Sequence, residues 1–493
     1  MSNSTIGSSV KDDLPSASEP VSPDILQSFP KLIQAGMGVR ISSWKLAHEA
    51  ARLGALGVVS SVGLRHIVID EIRRGDEDAL AIASTFPVKK YVEELLTFAP
   101  GGKKHKSPAP LDHPDPAKGD LPKRLSTICA YIEVMRARLG HQGKVGINVM
   151  WKCSFTVLPS IYGAMLAGVD ALLCGAGVPM ELPDIIKHIK AGEDMEYMPL
   201  SGTGNHVSFD ISEDFTEESR PLLKMPALMP ILSNFAFPKR MLDVWCREYG
   251  GIKPSAFILE NHKAGGHNAP PRNKETYAEA DDIETYFDKV KALGVPIYVA
   301  GAGGTRSEYL QWTKRGAYGL QVGSRFALCD ESGMRREIKD QIIERNASGE
   351  GAIVTDPHAS STGYPFKVIM LPGSLSEEEV YDKRKRICNR GYLLQSHFEE
   401  TEGGKQVETY VCTAMPTPQY EKLGGDAKDT PGRVCLCNGL MSTAGVLDLN
   451  EPPIITLGAA GLEITVKQSA RDIMEDILTP ETVREMELAL QES

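Results

Sequence analysis

The stretch PIYVAGAGGTRSEYLQWTKRGAYGLQVGSRF, residues 296–326, decides the fold. An apolar run (PIYVAG, 296–301) stops at glycines, a helical pattern follows (SEYLQWTKRG, 307–316), and a second apolar run (GLQVGSRF, 319–326) comes next. The helical stretch opens with Ser307 as its expected N-cap and stops at Gly316, as a helix does. The flanking runs are apolar on both alternations, which fits strands buried on both faces of a parallel sheet.

Working outward, the same pattern recurs. Further apolar runs read LIQAGM (32–37), ALGVVSSV (55–62), VGINVM (145–150), ALLCGAG (171–177), PALMPILSN (226–234) and SAFILEN (255–261). Helical patterns such as SWKLAHEAARLG (43–54) and TYFDKVKALG (285–294) lie between them. Strands alternating with helices in this number predict an α/β fold, a closed (β/α)8 TIM barrel. The competitor is a doubly wound open sheet. Three glycine clusters, GMGVRI (36–41), GAGVPM (175–180) and GAGGTR (301–306), argue against it. They carry Ile41, Met180 and Arg306 where the dinucleotide fingerprint needs its third glycine. No Gly-Lys-Ser/Thr phosphate loop is present.

Four regions are expected along the 493 residues. Residues 1–28, rich in Ser, Asp and Pro, read as a disordered tail without the apolar core of a secretory signal. Residues 29–350 form the barrel, 351–440 an extra subdomain or lid, and 441–493 a helical segment packing on the barrel. A Pro/Gly-rich loop spans 98–122 and holds the one basic cluster, at 103–106. A net charge of −11 argues against a nucleic-acid partner. No run of eighteen apolar residues predicts a membrane span. Nine cysteines without a signal segment point to reduced thiols and a cytoplasmic protein. Cys174 and Cys329, in apolar strand contexts, read as core residues.

Barrel chemistry sits at the C-terminal strand ends. The last two strands end in Gly303-Gly304 and in Gln321-Val322-Gly323-Ser324, where bare amides and a hydroxyl suit a phosphate. The first strand ends Gly36-Met37-Gly38, either a structural turn or a bare surface under a planar ring, with Met37 packed on it. Asn148, inside VGINVM, needs a ligand or a backbone partner. ENHKAGGHNAPPR (260–272) follows the sixth run and places Gly265 and Gly266 before His267. This is either a tight turn containing a histidine or a close approach to a cofactor, with His267 as a general base of near-neutral pKa. Glu260 either orients groups there or pairs with Lys263 or another cation.

The extra subdomain contains Cys388, Cys412, Cys435 and Cys437. Four thiolates suit tetrahedral zinc or an iron–sulfur cluster. Their spacing, one Cys-x-Cys and two distant partners, is equally that of ordinary reduced cysteines.

Taken in order, QAGMG, GINVM, ENHKAGGHNAPP, VAGAGG, GAYGLQVGSRFALCDESG and SSTGYPFK resemble the nitronate monooxygenase (2-nitropropane dioxygenase-like) family. Its pattern is shared with the FMN-dependent enoyl-acyl-carrier-protein reductases. The resemblance covers about residues 30–335 and implies a (β/α)8 barrel binding FMN at the strand ends. It implies that Gly36, Met37, Gly38 and Asn148 contact the flavin, and that Gly265 and Gly266 approach it. Gly303, Gly304, Gln321, Gly323 and Ser324 would hold the ribityl phosphate, and His267 matches the family's catalytic histidine. The implied activity is oxidation of alkyl nitronates with O2 to a carbonyl compound and nitrite. The alternative within the resemblance is NAD(P)H-dependent reduction of an enoyl thioester, with an acyl carrier protein as partner. A different class, a flavin-free scaffold or carrier-docking subunit, would purify without colour. Family members are often homodimers. The chain departs from compact members in its length and in Pro270 and Pro271 after the histidine.

Overall fold

Eight parallel strands form one sheet, β1 (Leu32–Gln34), β2 (Gly57–Ser60), β3 (Val145–Met150), β4 (Ala171–Gly175), β5 (Ala227–Leu232), β6 (Phe257–Glu260), β7 (Ile297–Ala300) and β8 (Gly319–Val322). Each lies beside its sequence neighbour, and β8 lies beside β1. The last gap, between β1 and β2, is bridged in parallel at Ile33 and Leu56. There the Gln34 amide donates to the Leu56 carbonyl at 3.0 Å, and the Leu56 amide donates to Leu32 at 2.9 Å. The sheet therefore closes into a barrel, as the strand–helix alternation predicts. The structure, a computed structural model, describes residues 29–99, 120–271, 276–301, 303–400, 406–447 and 451–491. The expected tail 1–28 and the basic cluster at 103–106 lie outside the described residues.

Both faces of the strands are apolar because both are covered. Ile33, Val58, Leu173, Met229, Ile258 and Tyr298 form one buried cluster with Phe29. Their neighbours Leu32, Val59, Leu172, Leu228, Phe257 and Val299 belong to the larger cluster that includes the helices. The first set fills the barrel and the second receives the outer ring. Cys174 and Cys329 are buried, as expected of core residues.

One helix cap differs from expectation. The helix between β7 and β8 runs Arg306–Arg315 and is capped by Thr305, not Ser307. Thr305 accepts from the Glu308 amide while Glu308 accepts from Thr305, a reciprocal box that needs Glu at the third helical position. Gly316 ends the helix in the left-handed region, φ 107°.

After β8 the chain does not form a detached lobe. Strands Ile353–Asp356 and Phe366–Ile369 pair antiparallel, and the second pairs with Gly266–His267 from the loop after β6. A hairpin of Gln395–Glu400 and Gln406–Val411 follows. Helix Leu436–Thr443 then runs through residue 440, so the boundary expected there falls inside a helix. Residues 451–463 return over the barrel mouth, and helices Ala470–Ile477 and Pro480–Gln491 close the chain. Arg52, on the helix Trp44–Arg52, pairs with Glu487 of the last helix.

Gly57 shows how tightly the outer ring sits. A Cβ there would lie 1.9 Å from the Ala47 carbonyl oxygen. Gly57→Ala is expected to cost about 1–3 kcal/mol by overpacking, read as a fall in the urea midpoint. An unchanged midpoint would show that helix Trp44–Arg52 is free to shift.

Candidate functional site

The turn after β1 is built by two buried side chains. Gln34 donates from Nε2 to Ala35 and to Ser42 Oγ, and its Oε1 accepts from Val58 at 2.9 Å. Ser42 Oγ donates to the Ala35 carbonyl at 2.7 Å and accepts from the Met37 amide at 2.9 Å. These bonds fold Gly36-Met37-Gly38 inward over the barrel mouth. Only glycine fits at 36, because a Cβ would stand 2.1 Å from Asn148 Cβ. Asn148 itself donates from Nδ2 to the Leu173 carbonyl at 3.3 Å, so a backbone partner answers part of its hydrogen bonding.

The loop after β6 is held from three sides. Asn261 accepts from the Lys263 amide at 3.0 Å, and Asn268 donates to Ala264 at 3.1 Å. Gly266, at φ 82°, donates to Thr456 Oγ1 at 2.7 Å. A Cβ on Gly265 would meet the backbone of Leu457 and Gly458 at 2.9 Å. His267 is placed by its pairing with Phe366, whose ring it meets edge-on at 5.0 Å. Its Nε2 bonds to Ser360 Oγ at 2.7 Å, and Ser360 Oγ is in turn 2.8 Å from Thr362 Oγ1.

These turns enclose a cavity of about 240 Å³ at the C-terminal ends of the strands. Gly36, Met37, Gly38, Asn148, Gly265, Gly266, His267, Gly303, Gln321, Gly323 and Ser324 all line it. Gly304 does not: it packs against Val322, and its carbonyl accepts from Arg325 at 2.9 Å. Gly303 lines the cavity, yet its amide donates to the Glu308 carboxylate at 2.8 Å. The anion-binding amides expected at 303–304 are thus partly answered within the protein, leaving Gly323 and Ser324 as the better anion end. Gln321 Oε1 is buried without a hydrogen-bond partner among the described residues. Such an acceptor calls for a donor from a ligand.

The electrostatics revise the reading of His267. Burial, reinforced by the charge of Lys152, holds its imidazole down to about 3. It is a neutral ring at ordinary pH, suited to orienting a substrate oxygen and a poor base in this setting. Lys152 is buried, its Nζ stands 3.0 Å from the centre of the Tyr364 ring, and burial lowers it to about 7. Glu260 lines the cavity and burial pushes its carboxyl up to about 7. Lys263 pairs with Asp282 at 3.1 Å, so it is not the partner of Glu260.

Sequence reasoning missed Lys152, Ser360 and the cavity wall made by Tyr392, Leu393, Leu436 and Cys437. Lys152 carried a signal, since it follows β3 within two residues of its C-terminal end. Ser360 lay within the SSTGYPFK motif with no role assigned to it, while Tyr392, Leu393 and Leu436 carried no signal, because they arrive from the segment after β8.

The metal reading of the four cysteines, zinc or iron–sulfur, is corrected. Among the described residues no group of three or more His, Cys, Asp or Glu side chains is arranged to hold a metal ion. Cys388 instead interacts with Cys412, and Cys435 with Cys437. Tetrahedral zinc needs its thiolates at one point, about 2.3 Å from the ion.

FabK from Thermotoga maritima is similar in structure, with a TM-score of 0.50 and 13% identity over 96% of this chain and 100% of that one. The chain has the FabK fold. Nitroalkane oxidase from Streptomyces ansochromogenes aligns with a TM-score of 0.47 at 12% identity, covering 94% of this chain and 99% of that one. The enoyl reductase domain of MlnA from Bacillus amyloliquefaciens aligns at 0.45 and 11% identity, covering 95% and 97%. No protein-family model matches the sequence, and no curated protein does. Among the described residues no helix is long and apolar enough to cross a membrane.

Glu260 sets a pH test. Its folded pKa lies above the unfolded one, so its contribution to stability is present below pH 4.5 and lost as pH rises through about 7. Glu260→Gln is expected to gain stability over the native chain across that window and to match it near pH 4.5. Parallel urea midpoints across the range would refute the buried-carboxyl reading.

Proposed function

We propose that the chain is an FMN-dependent oxidoreductase that oxidises alkyl nitronates with O2 to a carbonyl compound and nitrite. The observation that carries it is the convergence, in one cavity, of three bare glycine turns, the unpartnered Gln321 Oε1 and a neutral His267. Gly36, Met37, Gly38, Asn148, Gly265 and Gly266 would hold the flavin ring, with Gln321 accepting from it, and Gly323 and Ser324 the phosphate. Bound there, FMN would supply the redox chemistry of the reaction.

The protein's own groups handle the anion. A nitronate would bring negative charge against an apolar wall; Lys152 does not line the cavity, but its charge acts on His267, which does. His267, neutral and fixed through Ser360, directs a ring nitrogen at a substrate oxygen. Phe366 and the Tyr392–Leu393 wall exclude water from the same space. That wall favours a second reading, NAD(P)H-dependent reduction of an enoyl thioester, because Leu393, Leu436 and Leu440 offer an apolar bed for an acyl chain.

The test is an anaerobic visible spectrum of the purified protein. The proposal expects a flavin band that propionate 3-nitronate bleaches and NADPH does not. Bleaching by NADPH alone would transfer the assignment to the enoyl reductase, and no band after reconstitution with FMN would end both. His267→Ala is expected to keep FMN and lose at least about tenfold in turnover. Turnover of the nitronate is also expected to fall as pH rises through about 7 and Lys152 loses its proton, a leg that Lys152→Met removes.

A further inference from the structure

Three neighbouring strands set one row of residues along the bottom of the cavity. On β6, Phe257 and Leu259 pack with the outer helices and Ile258 packs inside the barrel, so Glu260 falls on the inner face. Glu260 is in register with Ala300 of β7, and Ala300 with Gln321 of β8. All three line the cavity. Two strand spacings put the backbones of Glu260 and Gln321 about 10 Å apart. The methyl of Ala300 stands between them, so both side chains have room to meet one ligand.

Neither polar end is answered within the protein. Gln321 Oε1 is buried without a partner among the described residues. The half-buried Glu260 carboxyl has no hydrogen bond or ion pair among them, and burial alone pushes it up to about 7. Among the described residues it is the only carboxyl that lines the cavity. The flanking strands present Ile231, Ala300 and Gly301, none of which titrates. Of the other titratable groups on the cavity, Lys263 is paired with Asp282 and His267 is neutral. Burial pushes the Cys153 thiol up to about 12 and the Tyr392 hydroxyl well above its usual range, and Cys437 comes from the segment after β8. An ionised Glu260 thus has nothing to offset its burial, whereas the neutral acid is a hydrogen-bond donor.

We propose that Glu260 holds the FMN ring as a neutral carboxylic acid, donating its O–H to a ring carbonyl oxygen while Gln321 Oε1 accepts from the adjoining ring N–H. This role for Glu260 rests on the flavin reading above. The pyrimidine edge of the ring is a cyclic imide, which presents an acceptor beside a donor, and the row offers a donor and an acceptor to match. An ionised Glu260 would face the carbonyl oxygen with no proton between them, so the carboxylate takes one proton from solvent as FMN enters. The affinity that Glu260 contributes is present below the carboxyl's pKa in the free protein, about 7, and is lost as pH rises through it.

In the experiment the full chain, freed of flavin, is titrated with FMN between about pH 7 and pH 9. Binding is read by flavin fluorescence, and proton uptake by calorimetry in buffers of different ionisation heat. The dissociation constant is expected to rise about tenfold per pH unit above 7, with about one proton taken up per flavin near pH 8. The FMN phosphate, with its second pKa near ~6, is largely ionised there and adds little slope. Glu260→Gln, whose amide still donates but does not titrate, should bind FMN without the rise and without the proton. Lys152, which burial lowers to about 7, lies off the cavity lining, and Glu260→Gln separates its titration from that of Glu260. A slope and a proton that survive Glu260→Gln overturn the proposal, as does a wild-type dissociation constant independent of pH. No flavin bound at any pH would refute the flavin reading itself, and the role of Glu260 with it.

Discussion

The closure of the sheet between Leu32–Gln34 and Leu56 is the constraint on which the rest depends. The contact consists of one bridge, two backbone hydrogen bonds and the Val58 amide donating to Gln34 Oε1, yet it converts a parallel sheet with two edges into a ring with none. In a ring of parallel strands every C-terminal end opens on the same rim. Turns spread along nearly three hundred residues of chain, 36–38, 265–266 and 321–324, are thereby brought round one cavity. The side chain that helps make the closure, Gln34, also folds the first of those turns through Ser42. Fold and site share a bond.

Much of this was legible because it is local. Strands covered on both faces must be apolar on both alternations, and glycine turns must follow them where the backbone approaches something closely. The eight runs were found on those grounds, and so were Gly36, Gly38, Gly265, Gly266, Gly303 and Gly323 of the cavity, whereas Gly175, Gly301 and Gly458 were not. Gly304 failed because a glycine in the right turn need not face the cavity; its space is taken by Val322. Ser307 failed as a cap because Thr305 has Glu308 at the position that completes a box.

What stayed hidden is the part set by pairing at long range. Nothing in GGHNAPP states that Phe366 will lie opposite His267, or that Ser360 will take its Nε2. The pKa of the histidine follows from those neighbours and from Lys152, so a reading of near-neutral basicity had no access to its cause. The cysteine spacing likewise listed ligands without their distances. Only the fold shows two pairs around a void in place of four thiolates at a point.

The segment after β8 changes what the barrel can do, because it turns an open mouth into an enclosed space. Thr456 holds Gly266, Gly458 holds Ser324 at 2.8 Å, and the Ala459 amide reaches Lys263 at 2.8 Å. Tyr392, Leu436 and Leu440 line the space those bonds help to enclose. Enclosure raises the cost of any unpaired charge, which is why His267 stays neutral while Glu260 and Lys152 are each drawn toward neutrality. A substrate entering such a space must be apolar or must bring a charge that an existing group can match. The matching groups are few and are cationic or neutral at the His267 side. The same enclosure places Cys437 against both the cavity and the small void lined by the other three cysteines after β8.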